Sequence, residues 1–193
     1  MNFRFLAGTI YGLILNTEEE WEKIRSENHT AGFFSRNLVF PLVLMASVSS
    51  FLGSILFIDT GLSASYAVLT GIRYFILLYI TIYGTALIFS KAAKSFNTDC
   101  DRDLSFKLAA GSIMPLLLCQ IVSLLFESFI FVNVLAFYGL YIFWAGLVTL
   151  SKPPSDKKIH LLAAETAIFL LLFVAGNKII TMLFDKIYYT FLS

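Results

Sequence analysis

Arg73, Glu165 and Lys178 stand inside otherwise apolar runs of the chain, where a charge is costly and usually faces a bundle interior or water. Charges placed this way either line a path for ions and solutes or tie helices together as ion pairs. Arg73 begins in the outer third of its run. Lys178 lies near an outer end, where its stem can snorkel toward the head groups. Glu165 stands four or five residues inside the opposite boundary. Glu127 comes out at the height of Arg73 and Lys178, so one of these two cations is expected to pair with it. Gln120, Asn133 and Asn177 are amides in apolar runs, suited to hydrogen bonds across helices. Pro115 removes an intrahelical hydrogen bond and marks the expected kink, eased by Gly111 and Ser112 a turn earlier.

A second pattern is acidic. Asn97, Asp99, Asp101 and Asp103 alternate like the first oxygen ligands of a calcium loop. Counted from Asp99, however, Leu104 falls where the sharp turn needs Gly, and Ala110 where a bidentate Glu belongs. Asp99, Asp101 and Asp103 are therefore weak metal candidates, and Asp103 is expected to cap a helix instead. His29 and His160 have no second His or Cys at ligand spacing, and His160 and Glu165 are five apart, on different faces of a helix. No HExxH, CxxC, GxSxG or glycine-rich phosphate loop occurs, so neither a cofactor, a bound metal nor an enzymatic reaction is expected. Cys100 in a polar loop and Cys119 in an apolar run sit in settings too different for a disulfide.

The elements that must position these residues follow from composition. Hydrophobic residues make up 58% of the 193-residue chain and charged residues 14%, with a mean hydropathy of +0.80. One soluble domain of this size cannot hide so much apolar surface, and lipid must cover the excess. A net charge of +1 gives no basic excess for nucleic acid.

The first 15 residues hold an apolar stretch too short to cross a bilayer, which reads as an interfacial helix. Asn16 or Thr17 with Glu19 or Glu20 has the capping-box pattern for a second short helix. On it Trp21 and Ile24 share one face, an apolar edge that can rest on the head groups or on the bundle; with Glu19 and Glu22 of the acidic face they are also the candidates for facing a partner. Five apolar runs then follow, at about 37–58, 66–90, 105–126, 128–150 and 159–184. The first runs for 22 residues without a charge, about 33 Å as a helix, enough to span hydrocarbon. Residues 1–36 thus read as a cytoplasmic or interfacial segment and 37–193 as a membrane domain. No run alternates as a barrel strand does, so the fold class is an all-α integral membrane bundle.

Eleven of the fourteen Lys and Arg residues fall on one side of this scheme: Arg4, Lys23, Arg25, Arg36, Lys91, Lys94, Arg102, Lys107, Lys152, Lys157 and Lys158. The positive-inside rule then puts the N-terminus in the cytoplasm and the C-terminus outside. Small residues recur at four-residue spacing, Ala46 with Ser50, Ser49 with Gly53 and Ala163 with Ala167, and allow helices to approach closely within the bundle or between copies.

Three stretches carry a resemblance: LILNTEEEWEKI near the start, LSFKLAAGSIMP in the third run, and YGLYIFWAGLVTLSKPPSDKKIHLL from the fourth into the fifth. Their order and spacing resemble the Yip family, the Ypt-interacting proteins and their bacterial five-pass relatives. Thr17 stands where the family usually has proline, and NTDCDRD is acidic where glycines are frequent. The resemblance implies a bacterial inner-membrane relative without the long soluble N-terminal region of eukaryotic members. Its expected role is that of a non-enzymatic scaffold or adaptor working through membrane lipids, copies of itself or other membrane proteins. The alternative is a small transporter or channel subunit with polar residues along a path, against which the absence of an inverted repeat weighs.

Overall fold

A computed structural model describes residues 2–57, 64–96, 98 and 100–191, apart from the side chains of Phe57, Glu127 and Phe191. Every element among them is helical: α1 Phe3–Leu15, α2 Thr17–Glu27, α3 Ala31–Phe34, α4 Phe40–Phe57, α5 Ala64–Ser95, α6 Arg102–Leu125, α7 Tyr138–Gly146 and α8 Lys158–Phe191. Five stretches are long and apolar enough to cross a membrane: Ala31–Leu56, Ala64–Ser95, Arg102–Leu125, Ser128–Ser151 and Lys158–Thr190. The protein is a multi-pass membrane protein.

These helices extend past the apolar runs that announce them. Residues such as Lys91, Ala92, Ala93 and Lys94 favour helix wherever they sit, so α5 continues beyond its last lipid-suited residue. Winding also departs from regular α at several places. Pro41 has no N–H to give the carbonyl of Asn37, and just before it Ser35–Val39 widen into a π turn in which the Phe40 N–H reaches Ser35 O. A second π turn, Leu147–Ser151, ends on Lys152 in the left-handed region with its N–H on Leu147 O. Pro153 and Pro154 follow and bar continuation of the helix.

The stretch expected as the fourth α-helix is half something else. Glu127–Phe137 winds as a 3-10 helix, entered through the extended Phe126 and broken at Phe129 (φ −97°, ψ 18°). Its Phe129, Ile130, Phe131, Val132 and Val134 are aromatic or β-branched and lose rotamer freedom in an α-helix. α6 itself runs unbroken through Pro115.

α6 is the axis of the bundle. It packs against α4, α5, α7 and the 3-10 segment and buries Leu108, Met114 and Leu117 completely. Close approach is bought by small residues: a Cβ on Gly53 would collide with the Leu124 carbonyl, and one on Gly139 with that of Ser112. Ala46, Ser49 and Ser50 are buried on α4 together with Gly53, whereas Ala163 and Ala167 are exposed.

Neither of the two expected helix caps forms. Asp101 caps α6, its Oδ1 accepting from Leu104 N at 2.8 Å. Asp103 is two positions too late to cap, since the cap must stand just before Arg102, the first helical residue. It accepts from Ala31 N and pairs with Lys107 at 2.8 Å, which ties the start of α3 to α6. At α2 no side-chain cap forms on Asn16; the Thr17 hydroxyl turns back to Leu13 O at 2.8 Å. Asn28 ends α2 in the left-handed region, a position that asparagine tolerates.

Candidate functional site

The N-terminal hairpin closes one end of the bundle. α1 turns Leu6, Thr9, Gly12 and Leu13 inward and leaves Phe3, Tyr11 and Leu15 exposed. α2 runs along α7: the Trp21 indole N–H donates to Ile142 O at 3.0 Å, and the Arg25 guanidinium reaches Thr149 O at 3.5 Å. The indole lies in a slot between Gly111 of α6 and Gly146 of α7, where a Cβ on either glycine would come within 2.6 Å of the ring. Trp21 and Ile24 are therefore not free to meet a partner; at 0% and 1% exposure they belong to the chain's own core. Glu19 and Glu22 remain exposed. The deciding signal, two glycines far along the chain, has no local trace in the α2 sequence.

The acidic alternation separates into individual duties. Asp101 is a cap, Asp103 a helix-to-helix tie, and Asp99 lies outside the described residues. Among the described residues no three His, Cys, Asp or Glu groups come together as a metal site. Nearby, Cys100 is buried with its sulfur 3.2 Å from Ser105 Oγ. Burial pushes its thiol up to about 11, against the pull of the Ser105 hydroxyl.

The intramembrane polar residues fall into two groups. Near one end, Arg73 of α5 donates to the Thr181 hydroxyl of α8 at 3.2 Å. It lines a 10 Å³ cavity that Tyr66 and Asp185 also border. Asn177 and Lys178 are exposed on α8, and the side chain of Glu127, expected to pair with Arg73 or Lys178, lies outside the described residues. Deeper in the bundle, Tyr74 donates to Gln120 Oε1 at 2.6 Å and Gln120 Nε2 to Asn133 Oδ1 at 3.0 Å. That chain of hydrogen bonds links α5, α6 and the 3-10 segment, with Ser123 adding a contact to Asn133 at 3.4 Å.

The second group surrounds Glu165. Its carboxyl is buried and accepts a hydrogen bond from Ser112 Oγ at 3.3 Å. Both residues line a crevice of about 260 Å³ between α6, the 3-10 segment, the start of α7 and α8. Leu116, Phe137, Leu140, Phe169 and Leu170 give it apolar walls, and Asn133 stands at its edge. The sequence marks Glu165 as out of place, but Ser112 is 53 residues away and only the fold joins them. Arg73 and Glu165 line separate cavities with no wall residue in common.

The Yip1 domain family model matches residues 11–176, from the middle of α1 through most of α8. No curated protein matches the chain, and no solved structure matches it.

Proposed function

The chain belongs to the Yip1-domain family, and from that membership we propose that it works without catalysis as a membrane scaffold or adaptor. It would act through lateral contacts with lipids, with further copies of itself or with other membrane proteins. The observation that carries this reading is the state of α8. Its most apolar 18-residue window is 6% buried, against 44–56% for the three spans from Ala31 to Leu125. α8 leans on α5 and leaves Leu171, Val174, Ile179 and Met182 uncovered. A face of this kind is covered in the membrane plane by lipid or by another protein.

The proposed setting is a bacterial inner membrane, with the basic end, marked by Lys91, Lys94, Lys157 and Lys158, toward the cytoplasm. That orientation leaves the exposed acidic face of α2 available to cytoplasmic proteins.

The test is native purification in lipid particles with mass spectrometry of what co-purifies, alongside photocrosslinkers placed at Leu171 and Val174. Reproducible adducts from α8 to a protein or a second copy, with no substrate flux in liposomes, are expected. Selective solute flux through the reconstituted protein, with no enriched partner or lipid, would instead establish a transporter subunit.

A further inference from the structure

We propose that the crevice beside Glu165 holds the chain of a membrane amphiphile whose head group donates a hydrogen bond to that carboxyl. The inference goes beyond the scaffold role, because the crevice is walled by α6, the 3-10 segment and α7 as well as α8, and only its mouth at Leu170 borders the uncovered face of α8.

Glu165 is 5% exposed. Ser112 occupies one of its oxygens, and among the described residues no cation and no second donor reaches it. A carboxyl placed within a membrane span without further partners is costly. A donor brought by a ligand removes that cost. A hydroxyl, which both donates and accepts, satisfies the group whether or not it carries a proton; an ammonium satisfies it when it is ionised.

The shape of the crevice fits the rest of such a ligand. Its walls advance from Ser112 to Leu116 along α6 and from Glu165 to Leu170 along α8, roughly 6–8 Å of helix. The carboxyl and the hydroxyl lie at the end nearer the basic loops, since Glu165 follows Lys158 by seven residues, about 10 Å. The deeper walls, Leu116, Phe169 and Leu170, are apolar. A head group near the membrane margin and a chain running inward match this order. At about 260 Å³ the space exceeds the roughly 150 Å³ of an apolar cavity that takes up benzene. It also opens sideways, because Phe137 is 71% and Leu170 53% exposed, so a chain can enter from the lipid.

Three photoreactive probes with one alkyl chain test the proposal on the intact protein in lipid nanodiscs: a monoacylglycerol, an alkylamine and an alkyl-trimethylammonium. The last has no hydrogen-bond donor. At least one of the first two is expected to label peptides containing Leu116, Phe137 or Leu170 about fivefold more than the third, the worth of one net hydrogen bond. In Glu165→Leu that excess should vanish. Preference for the monoacylglycerol identifies a lipid hydroxyl as the source, and preference for the alkylamine an amine head group. Equal labelling by all three probes, or an excess unchanged in Glu165→Leu, overturns the proposal. Should Glu165→Leu fail to fold, Ala136→Phe narrows the crevice and leaves the carboxyl in place. Labelling of the crevice peptides must then fall, and undiminished labelling overturns the proposal equally.

Discussion

α2 and the Cys100 loop are polar stretches of the chain and α8 is among the most apolar, yet the burial of their apolar side chains runs the other way. Trp21, Ile24 and Cys100 are within 1% of complete burial, whereas Leu171 and Met182 on α8 are 67% and 65% exposed. In water this arrangement would be unstable. In a bilayer, lipid tails are as apolar as leucine, so hydrophobicity no longer sorts inside from outside. Shape and hydrogen bonding decide instead. Trp21 is held because two glycines make a slot for its ring and the Ile142 carbonyl takes its N–H. α8 has no such device on its outer face.

The contrast can be broken experimentally, beginning with its strongest term. Trp21→Ala should cost about 3–5 kcal/mol, as for other buried aromatic truncations, read as a large loss of thermal stability in detergent. A loss no greater than that of an exposed substitution would mean that the slot holds nothing together.

The buried thiol comes next. Cys100 sits about two units above its ordinary value of 9.0, so at pH 8 its thiolate population should be about a hundredfold lower than that of a free cysteine. Maleimide modification of the folded protein should be slower by a comparable factor and recover on unfolding. The sign for stability follows. The folded state keeps the proton longer than the unfolded one, so stability is level below about pH 9 and falls as pH rises toward 11. Rapid modification at pH 8 would place Cys100 on the surface.

Smaller effects test the ties at the start of α6. Asp103→Ala should cost about 1–3 kcal/mol, because it leaves the Lys107 ammonium and the Ala31 N–H without their partner. Asp101→Ala should cost about 1 kcal/mol, the usual worth of an N-cap. If Asp101→Ala proved the more damaging of the two, the assignment of cap and tie would be reversed. At the bottom of the scale, Val174→Ala on the outer face of α8 should change monomer stability by no more than about 0.5 kcal/mol. A larger loss would reveal a partner already seated there.

How legible these features are in sequence depends on whether their cause is local. The five long apolar helices are local, since about twenty apolar residues in a row have few other uses. Gln120 and Asn133 stand out as amides to be matched across helices, and they are matched with each other. Trp21 is different. A tryptophan and an isoleucine three apart describe a sticky face, and nothing nearby says whether a partner or the bundle covers it. Gly111 and Gly146 decide that from afar. Asp101 and Asp103 both suit a helix start, and two residues of register separate a cap from a tie. Glu165 is conspicuous from its charge alone, but the Ser112 hydroxyl and the apolar walls beside it exist only once α6 and α8 are side by side.

The 3-10 winding of Glu127–Phe137 has a mechanical consequence. A 3-10 helix rises about 2.0 Å per residue against 1.5 Å for an α-helix, so the stretch from Ile130 to Phe137, beyond the break at Phe129, extends about 4 Å further than α winding would carry it. Rewinding the segment would draw its far end inward by that distance. It would also swing Asn133 around the axis, because each residue would turn about 100° in place of 120°. The hydrogen bond from Gln120 to Asn133 depends on the 3-10 winding that places Asn133 where it is, and Gln120→Leu would remove that tie.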